Sequence, residues 1–106
     1  MSFVKLTDLE EKEPVGGCRV RFIHTDNMTL AYWEISAGAT VPDHNHPHEQ
    51  VVNVIEGEFA LVVDGEKHIL KSGLAFTLDS DVIHGGTAIS DCRIIDVFHP
   101  VREDYR

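Results

Sequence analysis

Between Arg19 and Ile35 the chain alternates apolar and polar side chains. Val20 and Phe22 share one parity, and beyond the turn signal Asp26-Asn27 so do Thr29, Ala31, Trp33 and Ile35. A period of two is that of a strand with one face buried. The break at Ser36-Ala37-Gly38-Ala39 is followed by Gln50 to Ile55, a β-branched apolar run expected of a buried strand. Glu56-Gly57 kinks the chain. Phe59–Val63 and Lys67–Leu70 flank Asp64-Gly65, the dipeptide of a type I′ hairpin turn. Lys71-Ser72-Gly73 turns again before a short strand at Ala75–Leu78. Residues 79–86 read as a loop around Val82-Ile83, and Cys92–Phe98 is a last strand closed by His99-Pro100. The segment 1–17 is a charged lead-in, with one or two helical turns expected over Leu6–Glu13. Short strands, frequent turns and no long amphipathic helix predict an all-β sandwich or barrel.

Composition narrows this little. A chain of 106 residues, 42% apolar and 25% charged, predicts one globular domain over residues 1–106. Charge says more. Eighteen acidic against nine basic residues, a formal net charge of -9, argue against a nucleic-acid partner or an acidic membrane surface. A small anionic ligand stays compatible, because a metal and one Arg can reverse the sign of a pocket. The N-terminal residues carry no basic and apolar signal-peptide pattern, and no apolar run reaches spanning length, so the cytoplasm is expected. Cys18 and Cys92 have no ligand spacing. Two buried thiols are expected, with a disulfide left open.

The candidate chemistry lies in the histidines, seven in all. His44, His46 and His48 fall within Val41–Gln50. In an extended segment His44 and His46 point the same way and can offer two imidazoles to one ion. Gln50 shares their parity if Pro47 leaves the extension intact, and its amide carbonyl is a neutral oxygen donor. His84, beside Gly85-Gly86, is the candidate fourth ligand, where a loop meets a strand. Such a set suits one divalent ion among Zn, Ni, Fe, Mn and Co. By spacing alone the segment is equally a histidine-rich surface loop. His48 could line the pocket or stand in for Gln50, while Glu49 has the opposite parity. His24, His68 and His99 read as strand or surface residues, and Trp33 and Phe59 as core.

Gly38, His44-Asn45-His46, Gln50 and Gly57, with five, three and six residues between them, resemble the first motif of the cupin family. Gly73, Asp79-Ser80-Asp81 and His84 resemble the second, so that the motifs span residues 38–88. The usual Pro and Gly of the second motif are here Asp79 and Asp81, and the usual Asn after the His is Ala88. The resemblance implies a double-stranded β-helix, a jelly-roll barrel with the metal inside, and often a homodimer. It does not imply a reaction.

In the last strand, Cys92, Ile94, Asp96 and Phe98 share a face. If it is the interior, Asp96 is a carboxylate on an apolar wall and needs a partner or a task; if not, it is a surface residue. Arg102 either folds back over the barrel mouth or belongs to a loose tail. Asp96-Val97-Phe98-His99-Pro100-Val101-Arg102-Glu103-Asp104-Tyr105, taken with the His44–Gln50 segment, is similar to the KdgF-type cupins of pectin and alginate breakdown. That resemblance implies ring opening and ketonisation of 4,5-unsaturated uronates, with Asp96, Phe98 and Arg102 catalytic and no organic cofactor. The alternatives are a metal-dependent cupin dioxygenase, a non-enzymatic module binding a metal or sugar, and a structural cupin with an empty site. For a sensor module the chain has no helix-turn-helix pattern, and four intact donors argue against the last.

Overall fold

The computed structural model describes all 106 residues. A 3-10 turn at Leu6–Asp8 precedes ten strands: β1 (Lys12–Val15), β2 (Cys18–His24), β3 (Thr29–Ile35), β4 (Thr40–His44), β5 (Glu49–Glu56), β6 (Glu58–Val63), β7 (Glu66–Lys71), β8 (Ala75–Leu78), β9 (His84–Ala88) and β10 (Cys92–His99). A second 3-10 turn, Glu103–Tyr105, ends the chain. The strands form a six-stranded sheet in the order β1-β2-β3-β10-β5-β8 and a four-stranded sheet in the order β4-β9-β6-β7. Every pairing is antiparallel. After β3 the chain passes repeatedly from one sheet to the other, which is the jelly-roll barrel expected from the sequence.

Alternation builds the barrel. Along β10, Cys92, Ile94, Asp96 and Phe98 are buried while Arg93 and His99 are exposed. Facing residues of β2, β3 and β5 continue these inward rows, with Asp96 opposite Ala31 on one side and Val52 on the other. Ile35, Val52, Val54, Phe59, Leu61 and Ile94 are among the side chains that fill the space between the sheets. Asp64 and Gly65 both adopt left-handed backbone, φ 48° and 79°, as the type I′ turn between β6 and β7 requires.

Three sequence expectations are corrected. The lead-in makes one helical turn at Leu6–Asp8, as the sequence allowed, but Lys12–Val15 is a strand hydrogen-bonded to β2 at the sheet edge. Thr40–His44 is a strand that polar residues and Pro42 concealed. The loop after β8 stops at residue 83, because His84, Gly85 and Gly86 already pair with β4 and β6. Here the glycines act as expected: a Cβ on Gly85 would stand 2.7 Å from both the Asp43 carboxylate and the Val41 carbonyl oxygen.

The cysteines are free and buried. Cys18 and Cys92 both pair with Ile35, from opposite sides. They are thus two strand spacings apart, about 10 Å, beyond the roughly 7 Å a disulfide can bridge.

Candidate metal centre and ligand pocket

His44 ends β4 and faces His84, the first residue of β9, across the small sheet. His46 lies in the crossing between the sheets, and Gln50 sits on β5 of the large sheet. The donors therefore converge in a way that strand parity does not describe. The extension expected from His44 to Gln50 is broken at residues 45–48, with a bend at Pro47-His48, and the chain changes sheets there. Asp81 holds the far side of this crossing by donating its backbone N–H to the His46 carbonyl oxygen at 2.8 Å. Asp81 does so at φ 64°, the left-handed region that explains why the family pattern places Gly there.

One ligand atom from each of His44, His46 and His84 lies within 4.8 Å of the others. Their hydrogen bonds decide which nitrogen that is. Nδ1 of His44 faces the Pro42 carbonyl oxygen at 2.9 Å, Nδ1 of His84 faces that of Val82 at 2.9 Å, and Nδ1 of His46 faces that of His48 at 3.1 Å. A carbonyl oxygen accepts only, so each Nδ1 carries the proton and each Nε2 presents a lone pair. His84 Nε2 is buried without a partner. His46 Nε2 stands 3.0 Å from Gln50 Oε1, one lone-pair atom facing another. A shared cation satisfies all of these atoms, and backbone-fixed tautomers are how metal-bound imidazoles are commonly oriented. Burial pushes the His46 imidazole down to about 4 and lowers His84 as well, with Arg102 and the neighbouring histidines adding to it. Both rings are neutral at pH 7, the form that binds a metal. The residues present fit a divalent ion.

His48 does not join the group. It serves through its carbonyl, while Glu49 is exposed as its parity predicts.

The triad opens onto a cavity of about 320 Å³. His44, Gln50 and His84 line one end with Asp96, Phe98 and Arg102, while Val15, Ile35, Val52, Phe59 and Leu61 form much of the remaining wall. His46 lies behind this surface with its ring 5.5 Å from that of Phe98. Asp96 faces inward and is buried, with Oδ1 lacking any partner. Burial pushes its carboxyl up to about 7, against the opposing pull of the Gln50 amide, the Trp33 indole and Arg102. Arg102 is 5% exposed and folds over the pocket rather than trailing in solvent.

Four residues of this end have roles that the sequence reading did not assign. Thr29 accepts the Arg102 backbone N–H at 2.9 Å, Asp104 pairs with the Arg102 guanidinium, and Tyr105 stacks against it. Trp33, expected in the core, packs there but also lines the cavity, its indole nitrogen near enough to Asp96 to lower that carboxyl's pKa yet completing no hydrogen bond. A fixed tail contact of this kind is invisible to alternation.

A jelly-roll barrel with a histidine triad at its open end defines a class. The cupin domain family profile matches residues 31–98, and the chain belongs to the cupin family. Within it the chain is KdgF-like. It is 32% identical over 83 residues to the pectin degradation protein KdgF of Dickeya dadantii, with 76% of each chain covered. The solved structure of KdgF from a Halomonas species superposes with a TM-score of 0.92 at 28% identity, covering 100% of this chain and 99% of that one. An RmlC-like cupin from Shewanella frigidimarina gives 0.92 at 30% identity over 100% and 96%.

Proposed function

We propose that this protein is a metal-dependent enzyme that opens the ring of 4,5-unsaturated monouronates and ketonises the product. The observation that carries the proposal is the meeting, in one cavity, of a three-histidine cluster, a buried carboxyl with an unpartnered oxygen and a buried guanidinium. Likeness to a pectin degradation protein supports the substrate class.

His44, His46, Gln50 and His84 would hold the ion, which would supply Lewis acidity toward substrate oxygens. Arg102 binds the substrate carboxylate. Asp96 takes the proton of the hemiacetal hydroxyl as the ring C1–O5 bond breaks, leaving an aldehyde and an enolate whose negative oxygen is the former ring oxygen. It returns that proton to C4 as the enolate becomes a ketone, so the step is a redox-neutral isomerisation without an organic cofactor. A carboxyl near pH 7 is suited to both transfers. Phe98 positions the sugar ring.

The test is the loss of double-bond absorbance from fresh 4,5-unsaturated galacturonate, measured against its spontaneous rate. Chelator-sensitive acceleration is expected, with a fall of about 100-fold or more in kcat for Asp96→Asn at unchanged metal content. No acceleration by metal-loaded protein would remove the substrate; full activity of the variant would remove Asp96.

The proposal reads the chain as one cupin unit acting in the cytoplasm. No helix is long and apolar enough to cross a membrane. A homodimer has a face to use, since Ile23, Leu30, Val97 and Val51 form one cross-strand row on the outer surface of the large sheet. Sedimentation should give two copies, and a monomer would remove that part.

One observation favours a second reading. The cavity wall is largely apolar, which suits oxygen chemistry on a small aromatic acid. Oxygen consumption with such an acid, absent with uronates, would select it.

A further inference from the structure

Arg102 is held at more points than an anion-binding arginine needs. Its backbone N–H donates to Thr29 Oγ1 at 2.9 Å, and that hydroxyl, fully buried, also hydrogen-bonds with His24 Nδ1 at 2.8 Å. The guanidinium carbon lies 4.7 Å from the Phe98 ring centroid and 4.1 Å from that of Tyr105. Tyr105 is itself braced by Phe22, stacked at 4.5 Å. The Phe98 and Tyr105 centroids are 6.2 Å apart, so the two rings meet the guanidinium from directions at about a right angle and together restrict its rotation. Within that plane, Nε donates to Asp104 Oδ1 at 3.0 Å and Nη2 to Oδ2 at 2.7 Å.

A guanidinium has five N–H bonds and two edges that fit a carboxylate. Asp104 fills the edge made by Nε and Nη2. The other edge, Nη1 with the second Nη2 hydrogen, has no hydrogen-bond partner, and Nη1 is buried. The two carboxylate positions differ in surroundings. Asp104 is 55% exposed and does not line the cavity, whereas Arg102 is 5% exposed and does. Asp104 therefore grips the arginine from outside and does not occupy the place a ligand would take.

We infer that Asp104 is the positioning residue of the pocket: it fixes the guanidinium so that only the Nη1 edge faces the cavity, and that edge takes a single ligand carboxylate end-on. This rests on the reading above that Arg102 is the ligand's anion partner, and adds what orients it. Without Asp104, a buried guanidinium would lose its only charged partner at hydrogen-bonding distance and turn toward water. Asp104 acts through Arg102 and touches no ligand.

The experiment compares metal-loaded wild type, Asp104→Asn and Asp104→Glu. Binding of D-galacturonate and of uncharged D-galactose is followed through Trp33, the single tryptophan, which lines the cavity. Kinetics on 4,5-unsaturated galacturonate are measured in parallel. Asp104→Asn is expected to weaken galacturonate about tenfold, the loss of roughly one charge-assisted contact, and to leave galactose unchanged. KM should rise by a similar factor with kcat within about twofold, the split expected when ground-state and transition-state binding fall together. Asp104→Glu, which keeps the charge, should recover part of the loss. Equal or tighter galacturonate binding by Asp104→Asn would overturn the inference, making Asp104 a spectator or a competitor. So would a wild type that binds no galacturonate. If the wild type turns over no unsaturated uronate but its galacturonate binding falls in Asp104→Asn, the substrate reading fails and the inference stands. Normal turnover with identical KM in all three proteins gives the reverse.

Discussion

Asp96 concentrates the tension between fold and chemistry. It stands on an inward strand face between Ile94 and Phe98, opposite Ala31 and Val52, and one of its oxygens is left without a partner. A carboxylate there lacks most of its hydration. The consequence for stability has a definite sign. In the unfolded chain the group ionises near the ordinary aspartate value of 3.8, whereas in the folded, metal-free protein it does so at about 7. Between those values the unfolded chain has released its proton and the folded chain has not. The group therefore costs nothing below about pH 4, costs progressively more up to about pH 7, and no more above it. Asp96→Asn should accordingly stabilise chelator-treated protein by on the order of 2–4 kcal/mol at pH 8 and by much less at pH 5. Urea midpoints at the two pH values check this, and a gain independent of pH would show that the buried charge is not its source. This residue was half legible: parity gave its face only once β10 was known to lie inside. Asp104, Thr29 and Tyr105 were not legible, because their roles depend on where the tail folds.

Strands that bury one face of their own announced themselves, and strands defined by their neighbours did not. β2, β3, β5 and β10 carry alternating or β-branched apolar residues, and their positions were readable within a few residues. β1 is mostly exposed, with Val15 its one partly buried residue. β4 is almost wholly exposed and tolerates Pro42 because it lies at a sheet edge. β9 begins His84-Gly85-Gly86, whose small residues are buried by what covers them. The three histidines that the structure brings together were named by motif spacing, while the local geometry assigned to them was not legible, since a change of sheets replaces the expected extension. β9 offers a test at this scale. A Cβ on Gly86 would meet the Phe59 ring and the Ala60 carbonyl oxygen. Gly86→Ala should therefore push β9 off β6 and destabilise the protein by about 1–3 kcal/mol, the usual range for overpacking. It should also weaken metal binding, because the same strand carries His84. Unchanged urea stability would mean that the sheets part more easily than their packing implies.

At the scale of the molecule, the candidate metal site draws on both layers. His44 and His84 belong to the small sheet, Gln50 to the large one, and His46 to the crossing between them. An ion bound there links elements that otherwise meet through the apolar core. Because only the folded chain assembles the donors, binding stabilises it by about 2.7 kcal/mol at a hundredfold excess over Kd, a rise of roughly ten degrees or more in Tm for a chain of this size. The acidic exterior sets no obstacle, since the positive groups of the site lie within the pocket. All of the proposed chemistry depends on that ion. The most direct measurement is metal content and Tm of the purified protein before and after chelation, beside His46→Ala and His84→Ala. One divalent ion per chain is predicted, with a Tm that falls on chelation and recovers on reloading, and neither behaviour in the two variants. A wild type without stoichiometric metal after loading, or variants that bind it as well, would contradict the account.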